Sequence, residues 1–221
     1  MFDVSIIGGG LAGLSASIEL AKKKYKVALI EKKEYPFHKV CGEYISFESW
    51  DYIKYLGIDL DTLNLPIIDE LHFSSESGKE LKTKLPLGGF GISRYTLDSL
   101  LAKEAEFLGV ELFQNSNAEE VSFQNQIHTI LLRTGEELRS KVVLGSFGKR
   151  SKLDLKLNRE FVISNKVSKN FVGVKYHIKT ELPENVIGLH LFHNGYCGVS
   201  KVDGDNTYCM CYLTLADNLK K

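Results

Sequence analysis

The sequence feature that most constrains the fold is a glycine-rich loop close to the first residue. Residues 2–7 form a short β-rich segment, and the loop follows at once as Gly8-Gly9-Gly10-Leu11-Ala12-Gly13. Residues 14–24 have helical character, and residues 26–30 form a second β-rich segment that ends on Glu31. The order strand, glycine loop, helix, strand predicts the first β-α-β unit of a Rossmann-like α/β domain.

The glycine positions suit the binding of a dinucleotide. Gly8 lets the chain turn sharply off the strand, Gly10 leaves room for a pyrophosphate beside the backbone, and Gly13 lets the helix pack closely on the strands. The amino end of the helix presents backbone N–H groups and the positive end of a dipole to the phosphates, and Leu11 and Ala12 lie in the loop just before it. These residues are therefore predicted to contact a dinucleotide.

An acidic residue completes the pattern after the second strand. Glu31 lies eighteen residues after Gly13, where a carboxylate accepts hydrogen bonds from ribose hydroxyls. Its charge also argues against a 2′-phosphate at this position, although Lys32 and Lys33 weaken that exclusion. Lys32 is a further candidate contact. The alternative is a glycine-rich turn without a ligand, but the strand before it and the helix after it favour the dinucleotide site.

Composition excludes several classes of partner. Hydrophobic residues make up 43% of the 221 residues, and Lys plus Arg equals Asp plus Glu at 28 each. A net charge near zero gives no reason to expect a nucleic acid or an anionic membrane as a partner. No apolar run approaches the roughly 18 residues that a membrane-spanning helix needs. The chain also lacks the pattern of a signal peptide, so we expect a cytoplasmic protein.

The four cysteines predict neither disulfides nor a metal site. Cys209 and Cys211 alternate in a strand-like segment, and Cys197 lies nearby in sequence. Small hydrophobic side chains in a reducing compartment explain them. A metal site would favour a two-residue spacer and a second ligand pair, and the sequence shows neither.

The rest of the chain divides into α/β and β-rich parts. The predicted elements are, in chain order, a helix over 47–56, strands over 71–74 and 80–85, a glycine-rich loop over 86–91, a helix over 93–108, a strand over 110–113, a hairpin of 121–123 with 128–132, a strand over 141–144, a glycine-bearing loop over 145–151, and strands over 171–179, 186–192, 197–202 and 208–213. We therefore predict a nucleotide-binding domain from residues 1–45 and 90–155. A β-rich substrate domain, residues 46–89 and 156–221, is inserted in it and follows it.

Three later segments narrow the class of dinucleotide. They are the motif Arg-x-x-Leu-Asp that starts at Arg94, the loop over 145–151, and the segment Pro36-Phe37-His38-Lys39-Val40-Cys41-Gly42-Glu43. With the glycine loop, they resemble the FAD-dependent oxidoreductases of the para-hydroxybenzoate hydroxylase fold. The segment over 36–43 resembles that of the geranylgeranyl reductase-like branch. The resemblance covers essentially the whole chain but only the first part of a family member.

The resemblance implies a set of flavin contacts. Arg94 would lie along the phosphate and ribityl region of FAD, and Cys41 and Gly42 would lie close to the flavin. Gly148 would keep the geometry of the glycine-bearing loop over 145–151, near the cofactor. A solvated arginine at a helix start and a buried loop cysteine remain the alternatives for Arg94 and Cys41. Glu43 either bonds the flavin, supports its loop or is a surface carboxylate.

The sequence departs from the family pattern in two places. In the family motif Gly-Ala-Asp-Gly-x-x-Ser-x-x-Arg, this chain has Phe147 at the aspartate position and Asp154 at the arginine position. The departure leaves the handling of a nicotinamide open. No Gly-Asp-Ala-Ala-type turn, the family's second flavin-contacting element, occurs before Lys221. We therefore expect a Rossmann-like domain, three-layered in the family, that is incomplete at its carboxyl end.

The sequence thus predicts an FAD-dependent oxidoreductase, either a reductase or a monooxygenase. Its expected substrate is a small apolar isoprenoid, polyene or aromatic molecule. No catalytic acid or base is identified, NAD(P)H as electron donor is left open, and the oligomeric state is undefined. One alternative is a truncated, catalytically silent nucleotide-binding fragment. A second, an NAD-dependent dehydrogenase, explains the glycine loop but not the segments around Cys41 and Arg94.

Overall fold

The computed structural model describes residues 1–149, 151–163 and 170–219. Its strands are β1 (Phe2–Ile7), β2 (Val27–Ile30), β3 (Tyr44–Ser46), β4 (Ile67–Ser74), β5 (Glu80–Gly91), β6 (Glu111–Phe113), β7 (Ala118–Gln124), β8 (Ile127–Leu132), β9 (Glu137–Gly145), β10 (Phe171–Lys179), β11 (Val186–Phe192), β12 (Gly195–Lys201) and β13 (Thr207–Leu215). Its α-helices are α1 (Leu11–Lys22), α2 (Trp50–Leu56), α3 (Arg94–Phe107), α4 (Lys152–Lys156) and α5 (Glu160–Ile163). Short 3-10 segments cover Phe47–Ser49, Leu60–Leu63 and Ala216–Leu219.

The chain divides into two compact units. The first unit contains Met1–Phe37 and the described part of Asp98–Val167, and the second contains His38–Leu97 and the described part of Ser168–Lys221. The predicted borders placed residues 38–45 and 90–97 in the nucleotide-binding domain, whereas these residues belong to the second unit, in which β3 pairs with the end of β5. The assignment of one unit to the nucleotide and the other to the substrate stays a prediction.

The first unit is an α/β unit with one six-stranded sheet. The strand order is β6-β2-β1-β9-β8-β7, in which β6, β2, β1 and β9 pair parallel to one another, β8 pairs antiparallel with β9, and β7 pairs antiparallel with β8. Strand β2 is buried along its whole length, as expected for a central parallel strand. The predicted β-α-β unit and the predicted α/β fold class are confirmed.

Helix α1 buries one face. Leu14, Ile18 and Ala21 recur at helical spacing and are buried. The helix begins at Leu11, earlier than the predicted residue 14, because the Leu14 N–H already donates to the Gly10 carbonyl oxygen at 2.9 Å. A cluster of apolar residues from β1, β2, β7, β8, β9 and α4 forms a hydrophobic core in this unit. Its buried members are Phe2, Ile7, Ala28, Ile30, Ala118, Ile130, Leu132, Leu138 and Leu153.

The second unit is a seven-stranded sheet in the order β10-β13-β12-β11-β4-β5-β3. The predicted loop over 86–91 is wrong, because these residues complete β5. Gly89, Phe90 and Gly91 pair with β3. A side chain at Gly89 would collide with the Ile45 carbonyl oxygen, so glycine here permits close strand pairing rather than a loop.

Two helices were missed by the sequence pattern. Helices α4 and α5 are only five and four residues long, too short for a periodic pattern. Ser151 caps α4, since its hydroxyl accepts a hydrogen bond from the Leu153 N–H at 3.1 Å.

Across the described residues, no helix is both long and apolar enough to cross a lipid bilayer.

Candidate functional site

The turn from β1 into α1 depends on glycine at two positions. Gly8 has a φ of 109°, and a Cβ there would come within 2.6 Å of the Phe147 backbone nitrogen. A Cβ on Gly13 would overlap the Gly8 carbonyl oxygen, which also accepts a hydrogen bond from the Ser146 hydroxyl at 2.6 Å. The sharp turn at Gly8 and the close packing at Gly13 therefore agree with the sequence prediction.

The amino end of α1 has the features of an anion site. Gly10 precedes the helix with extended backbone angles, φ −81° and ψ −175°. The N–H groups of Leu11, Ala12 and Gly13 come before the first intrahelical bond, which Leu14 donates. No acidic residue occurs in the first turn, so the positive end of the dipole is not neutralised there.

Glu31 closes the loop through its carboxylate. Oε2 accepts a hydrogen bond from the Gly9 N–H at 2.9 Å, and Oε1 accepts one from the Lys33 N–H at 3.1 Å. Glu31 is only 6% exposed. A carboxylate has about four lone-pair sites, so two N–H donors leave capacity for ribose hydroxyls. Tyr35 adds a brace, because its hydroxyl donates to the Gly9 carbonyl oxygen at 2.6 Å.

A cavity of about 440 Å³ opens beside this loop within the first unit. Gly8, Glu31 and Lys32 of the predicted site line it. Its volume falls in the range of roughly 300–1,000 Å³ typical of small-molecule sites. The lining also includes Ser116, Asn117, Ala118, Glu119, Arg133, Phe147, Ser151, Lys152, Leu153 and Lys156. Sequence reasoning missed the cations Arg133, Lys152 and Lys156, because they come from a hairpin and a short helix far along the chain.

The loop after β9 carries the departures from the family motif. Gly148 has a φ of 74° and is exposed, and it does not line the cavity. Phe147 packs against the apolar core of the unit, and Asp154 is buried and paired with Arg159, Nε to Oδ1, at 3.3 Å. Phe147 is therefore accommodated by apolar packing, and Asp154 by an ion pair.

In the second unit, the segment Val40–Glu43 lies on one face of the sheet. The Cys209 thiol donates to the Cys41 carbonyl oxygen at 3.3 Å, and the Ser200 hydroxyl donates to that of Gly42 at 3.5 Å. Gly173 makes room for Val40, whose Cγ1 would be 3.1 Å from an added Cβ. The sheet therefore fixes the backbone on both sides of Cys41.

Glu43 anchors this segment. Its carboxylate Oε1 accepts hydrogen bonds from the Lys175 Nζ at 2.6 Å and from the Arg94 N–H at 2.7 Å. Its Oε2 lies 2.5 Å from the His177 Nε2. Glu43 is 1% exposed, so it is not a surface carboxylate; it supports its loop and contacts the backbone at the start of α3. We call Glu43, Lys175, His177 and Cys209 the Glu43 cluster.

The environment of this cluster alters two ionisable groups. Burial, reinforced by the nearby Glu43 charge, raises the pKa of the Cys209 thiol far above its usual range. Burial, with the Lys175 charge second, lowers the pKa of His38. The His38 ring stacks on Tyr95 at 4.8 Å between centroids and meets the His177 ring edge to face at 5.0 Å. Neutral side chains are therefore favoured at Cys209 and His38.

The sheet face that carries His177 and Cys209 is otherwise largely apolar. Strand pairing places Leu213 opposite Gly173 and Tyr196, Leu191 opposite Tyr196, and Leu189 opposite Phe73. Because side chains alternate between the two faces of a strand, these residues share the face of His177. Leu191 and Tyr196 are 42% and 41% exposed. We call Leu189, Leu191, Tyr196, Leu213 and Phe73 the apolar face.

Comparisons with known proteins agree with the geometry of the first unit. The family model described as "FAD binding domain" matches residues 3–39, which include the glycine loop and Glu31. The conditioned medium factor receptor 1 of Dictyostelium discoideum is 29% identical, over 65% of this chain and 31% of its own length. The digeranylgeranylglycerophospholipid reductase of Sulfolobus acidocaldarius is 27% identical, over 79% of this chain and 40% of its own length.

Solved structures share the whole described architecture. A geranylgeranyl bacteriochlorophyll reductase-like protein from Thermoplasma acidophilum superposes with a TM-score of 0.80 at 20% identity, over 100% of this chain and 58% of that one. The flavin-dependent halogenase CmlS gives a TM-score of 0.82 at 20% identity, over 99% of this chain and 42% of that one. The chain therefore shares the fold of these two proteins. The resemblance inferred from the sequence motifs is confirmed, and the chain spans less than two thirds of these proteins.

The structure brings the predicted site residues together in two groups. Gly8, Gly10, Leu11, Ala12, Gly13, Glu31 and Lys32 surround the turn into α1, whereas Cys41, Gly42 and Arg94 are linked through Glu43 in the second unit. Sequence reasoning did not find Lys175 and His177. Their alternation with Tyr176 on a predicted strand was the available signal, because it places both on one face.

Proposed function

We propose that the chain is the FAD-binding part of an FAD-dependent oxidoreductase. The observation that carries the proposal is the turn from β1 into α1, closed by Glu31 and bordered by the 440 Å³ cavity. The match of residues 3–39 to the FAD binding domain supports it. FAD, when bound, supplies the redox chemistry, and the protein orients it and shapes the pocket.

Each part of the turn has a proposed role toward FAD. Gly8 and Gly10 let the backbone approach the pyrophosphate, and the N–H groups of Leu11, Ala12 and Gly13 face its charge. In the cavity of the first unit, Glu31 accepts hydrogen bonds from the adenosine ribose hydroxyls, and Lys32 is a further contact from the cavity lining.

The second unit contributes the remaining proposed contacts. Arg94 suits a phosphate, since its guanidinium can donate two parallel hydrogen bonds. Cys41 and Gly42 have a backbone fixed by the sheet, so they offer a rigid edge to the flavin. Gly148 shapes the loop after β9 in the first unit. These roles rest on the resemblance to the family.

We propose reduction of an apolar, isoprenoid-like substrate as the reaction. The apolar face offers an extended hydrophobic wall, and the Sulfolobus relative is named as a reductase of a digeranylgeranyl lipid. Burial of such a chain against Leu191, Tyr196 and Leu213 would contribute about 25 cal/mol per Å² of apolar area. NAD(P)H is the proposed electron donor.

FAD loading tests the cofactor assignment. Purified protein is expected to show the visible absorption of oxidised flavin at near-equal stoichiometry, or to acquire it when FAD is added. Gly10→Ala keeps an extended backbone that alanine adopts freely, but adds a methyl group where the pyrophosphate approaches. We expect at least about tenfold weaker FAD binding with an unchanged melting temperature. A colourless protein that gains no flavin signal, or one that binds NAD and not FAD, overturns the proposal.

Product mass tests the reaction. Reduced nicotinamide and a geranylgeranyl lipid are supplied to the flavin-loaded protein, with dithionite as an alternative electron source. A reductase adds two hydrogen atoms per double bond, whereas a monooxygenase adds one oxygen atom. The added oxygen atom would refute the reductase and leave FAD binding intact.

A further inference from the structure

The Glu43 cluster brings three different kinds of metal-binding atom together. His177 on β10 pairs directly opposite Cys209 on β13, and strand geometry puts both side chains on one face. Glu43 reaches the same place from the segment that lies over this face. One ligand atom from each of Glu43, His177 and Cys209 lies within 4.8 Å of the other two.

The carboxylate of Glu43 is already oriented for such a role. Lys175 Nζ and the Arg94 N–H both bind Oε1, at 2.6 Å and 2.7 Å. Oε2 is thereby turned toward the His177 Nε2, 2.5 Å away. Hydrogen bonds that fix the orientation of a ligand in this way are a general feature of protein metal sites.

The donor set identifies the class of ion. Thiolate sulfur, imidazole nitrogen and carboxylate oxygen together suit Zn²⁺, which accepts all three and takes four ligands in a tetrahedral arrangement. Three protein ligands leave one position for water. The His177 side chain is 22% exposed, which gives an ion access from solvent.

We propose that Glu43, His177 and Cys209 bind a Zn²⁺-type ion. Binding replaces the proton of the Cys209 thiol, which is released, and breaks its hydrogen bond to the Cys41 carbonyl oxygen. His177 would bind the ion through an unprotonated Nε2, with the ring proton on Nδ1. No atom changes oxidation state.

Lys175 sets the strength of this site. The ion adds two positive charges and the thiol loses one proton, so the cluster gains one positive charge beside the Lys175 ammonium. The Lys175 Nζ is 2.6 Å from Oε1 of the carboxylate that would bind the ion, and like charges this close repel strongly in a buried setting. Lys175 is only 6% exposed, so solvent screens that repulsion poorly. Lys175→Gln keeps a donor for Oε1 and removes the charge, and we expect roughly tenfold tighter binding from it.

The inference does not depend on the proposed function, because Glu43, His177 and Cys209 are not among the proposed FAD contacts and do not line the cavity. Its consequence is local: an ion would join the Cys41 segment to β10 and β13 by coordinate bonds. The spacing of cysteines along the sequence did not predict this site, because its ligands come from three separate parts of the chain.

Zn²⁺ titration of the full chain, followed by calorimetry and by metal content after dialysis, tests the site. We expect one ion per chain in the wild type. Cys209→Ser and His177→Ala should each weaken binding at least about tenfold, because even loss of a residue that only supports a ligand costs about 10- to 100-fold in metal affinity. Co²⁺ in place of Zn²⁺ should give a thiolate-to-cobalt absorption band that Cys209→Ser abolishes.

Cys197→Ser is the matched control. Cys197 pairs opposite Tyr212, on the other face of the sheet, so this variant should bind Zn²⁺ like the wild type. Circular dichroism of each variant separates lost ligands from lost folding. Absence of binding in the folded wild type, or equal affinity in a folded Cys209→Ser variant, would overturn the inference.

Discussion

Replacing Glu43 by glutamine should destabilise the second unit more than any exposed charge substitution in it. The glutamine side chain has nearly the same shape, so the change removes a charge with little loss of volume. It removes the carboxylate that pairs with the Lys175 ammonium, whose side chain is 6% exposed. It also replaces one carboxylate oxygen by an amide NH₂ group. That group would face either the His177 Nε2 or the two donors that bind Oε1, from Lys175 and Arg94.

The magnitude follows from the burial of both partners. The Glu43 side chain is 0% exposed, and removal of one partner from a buried ion pair costs roughly 3–5 kcal/mol. We expect a loss at the lower end, about 3 kcal/mol, because a glutamine oxygen in the place of Oε1 still accepts hydrogen bonds from Lys175 and from the Arg94 N–H. The double variant Glu43→Gln with Lys175→Met should recover part of the loss, since it leaves no unpaired buried charge.

Urea unfolding followed by the fluorescence of Trp50 measures this effect. Trp50 is the single tryptophan of the chain and lies in the second unit, so its signal reports on that unit. Glu70→Gln is the control, because Glu70 pairs with His72 and Lys84 at a more exposed site. A loss for Glu43→Gln no larger than that for Glu70→Gln would refute the reasoning that burial controls the cost.

Three further predictions concern the first unit. Glu31→Gln should weaken FAD binding about 10- to 100-fold, because a charged acceptor of hydrogen bonds is worth roughly 1.5–3 kcal/mol, whereas the exposed control Glu34→Gln should bind FAD like the wild type in a fluorescence titration. Gly13→Ala should lower the free energy of unfolding by about 1–3 kcal/mol in urea, since its methyl group would overlap a backbone oxygen; an unchanged midpoint would contradict the close packing. Lys141→Met should raise the pKa of Asp3, which the Lys141 hydrogen bond holds below its usual value, as NMR titration would show. The stability from this lowered pKa is present above the unfolded-state value and is lost as pH falls through the folded-state value, so the variant should lose stability at pH 6 but little at pH 2; equal losses at both would refute the pairing.

The fold was predictable where its determinants are local in sequence. Strand β1, the glycine loop and α1 follow from residues within about one β-α-β unit, and the strand Phe171–Lys179 was predicted with its observed bounds. The extension of β5 through Gly91 was not predictable, because it depends on pairing with β3 about forty-five residues earlier. Glycine there marks close approach of two backbones, and the same residue usually marks a turn.

The candidate site divides in the same way. The Gly8–Gly13 turn and Glu31 were found because a motif fixes their spacing. The Glu43 cluster was not found, because Lys175 and His177 lie more than 130 residues from Glu43 and meet it only through sheet pairing. A single sequence gives no signal for that meeting beyond the alternation of polar side chains along β10.

The hydrogen bonds of Glu31 have a consequence for the kinetics of cofactor binding. Its two oxygens hold the N–H groups of Gly9 and Lys33, so the protein's own atoms determine the shape of the glycine loop. A loop that is already ordered loses little conformational entropy when a ligand arrives. Association should therefore approach the rate set by diffusion and orientation, and differences in affinity among variants of this loop that still fold should appear mainly in the dissociation rate.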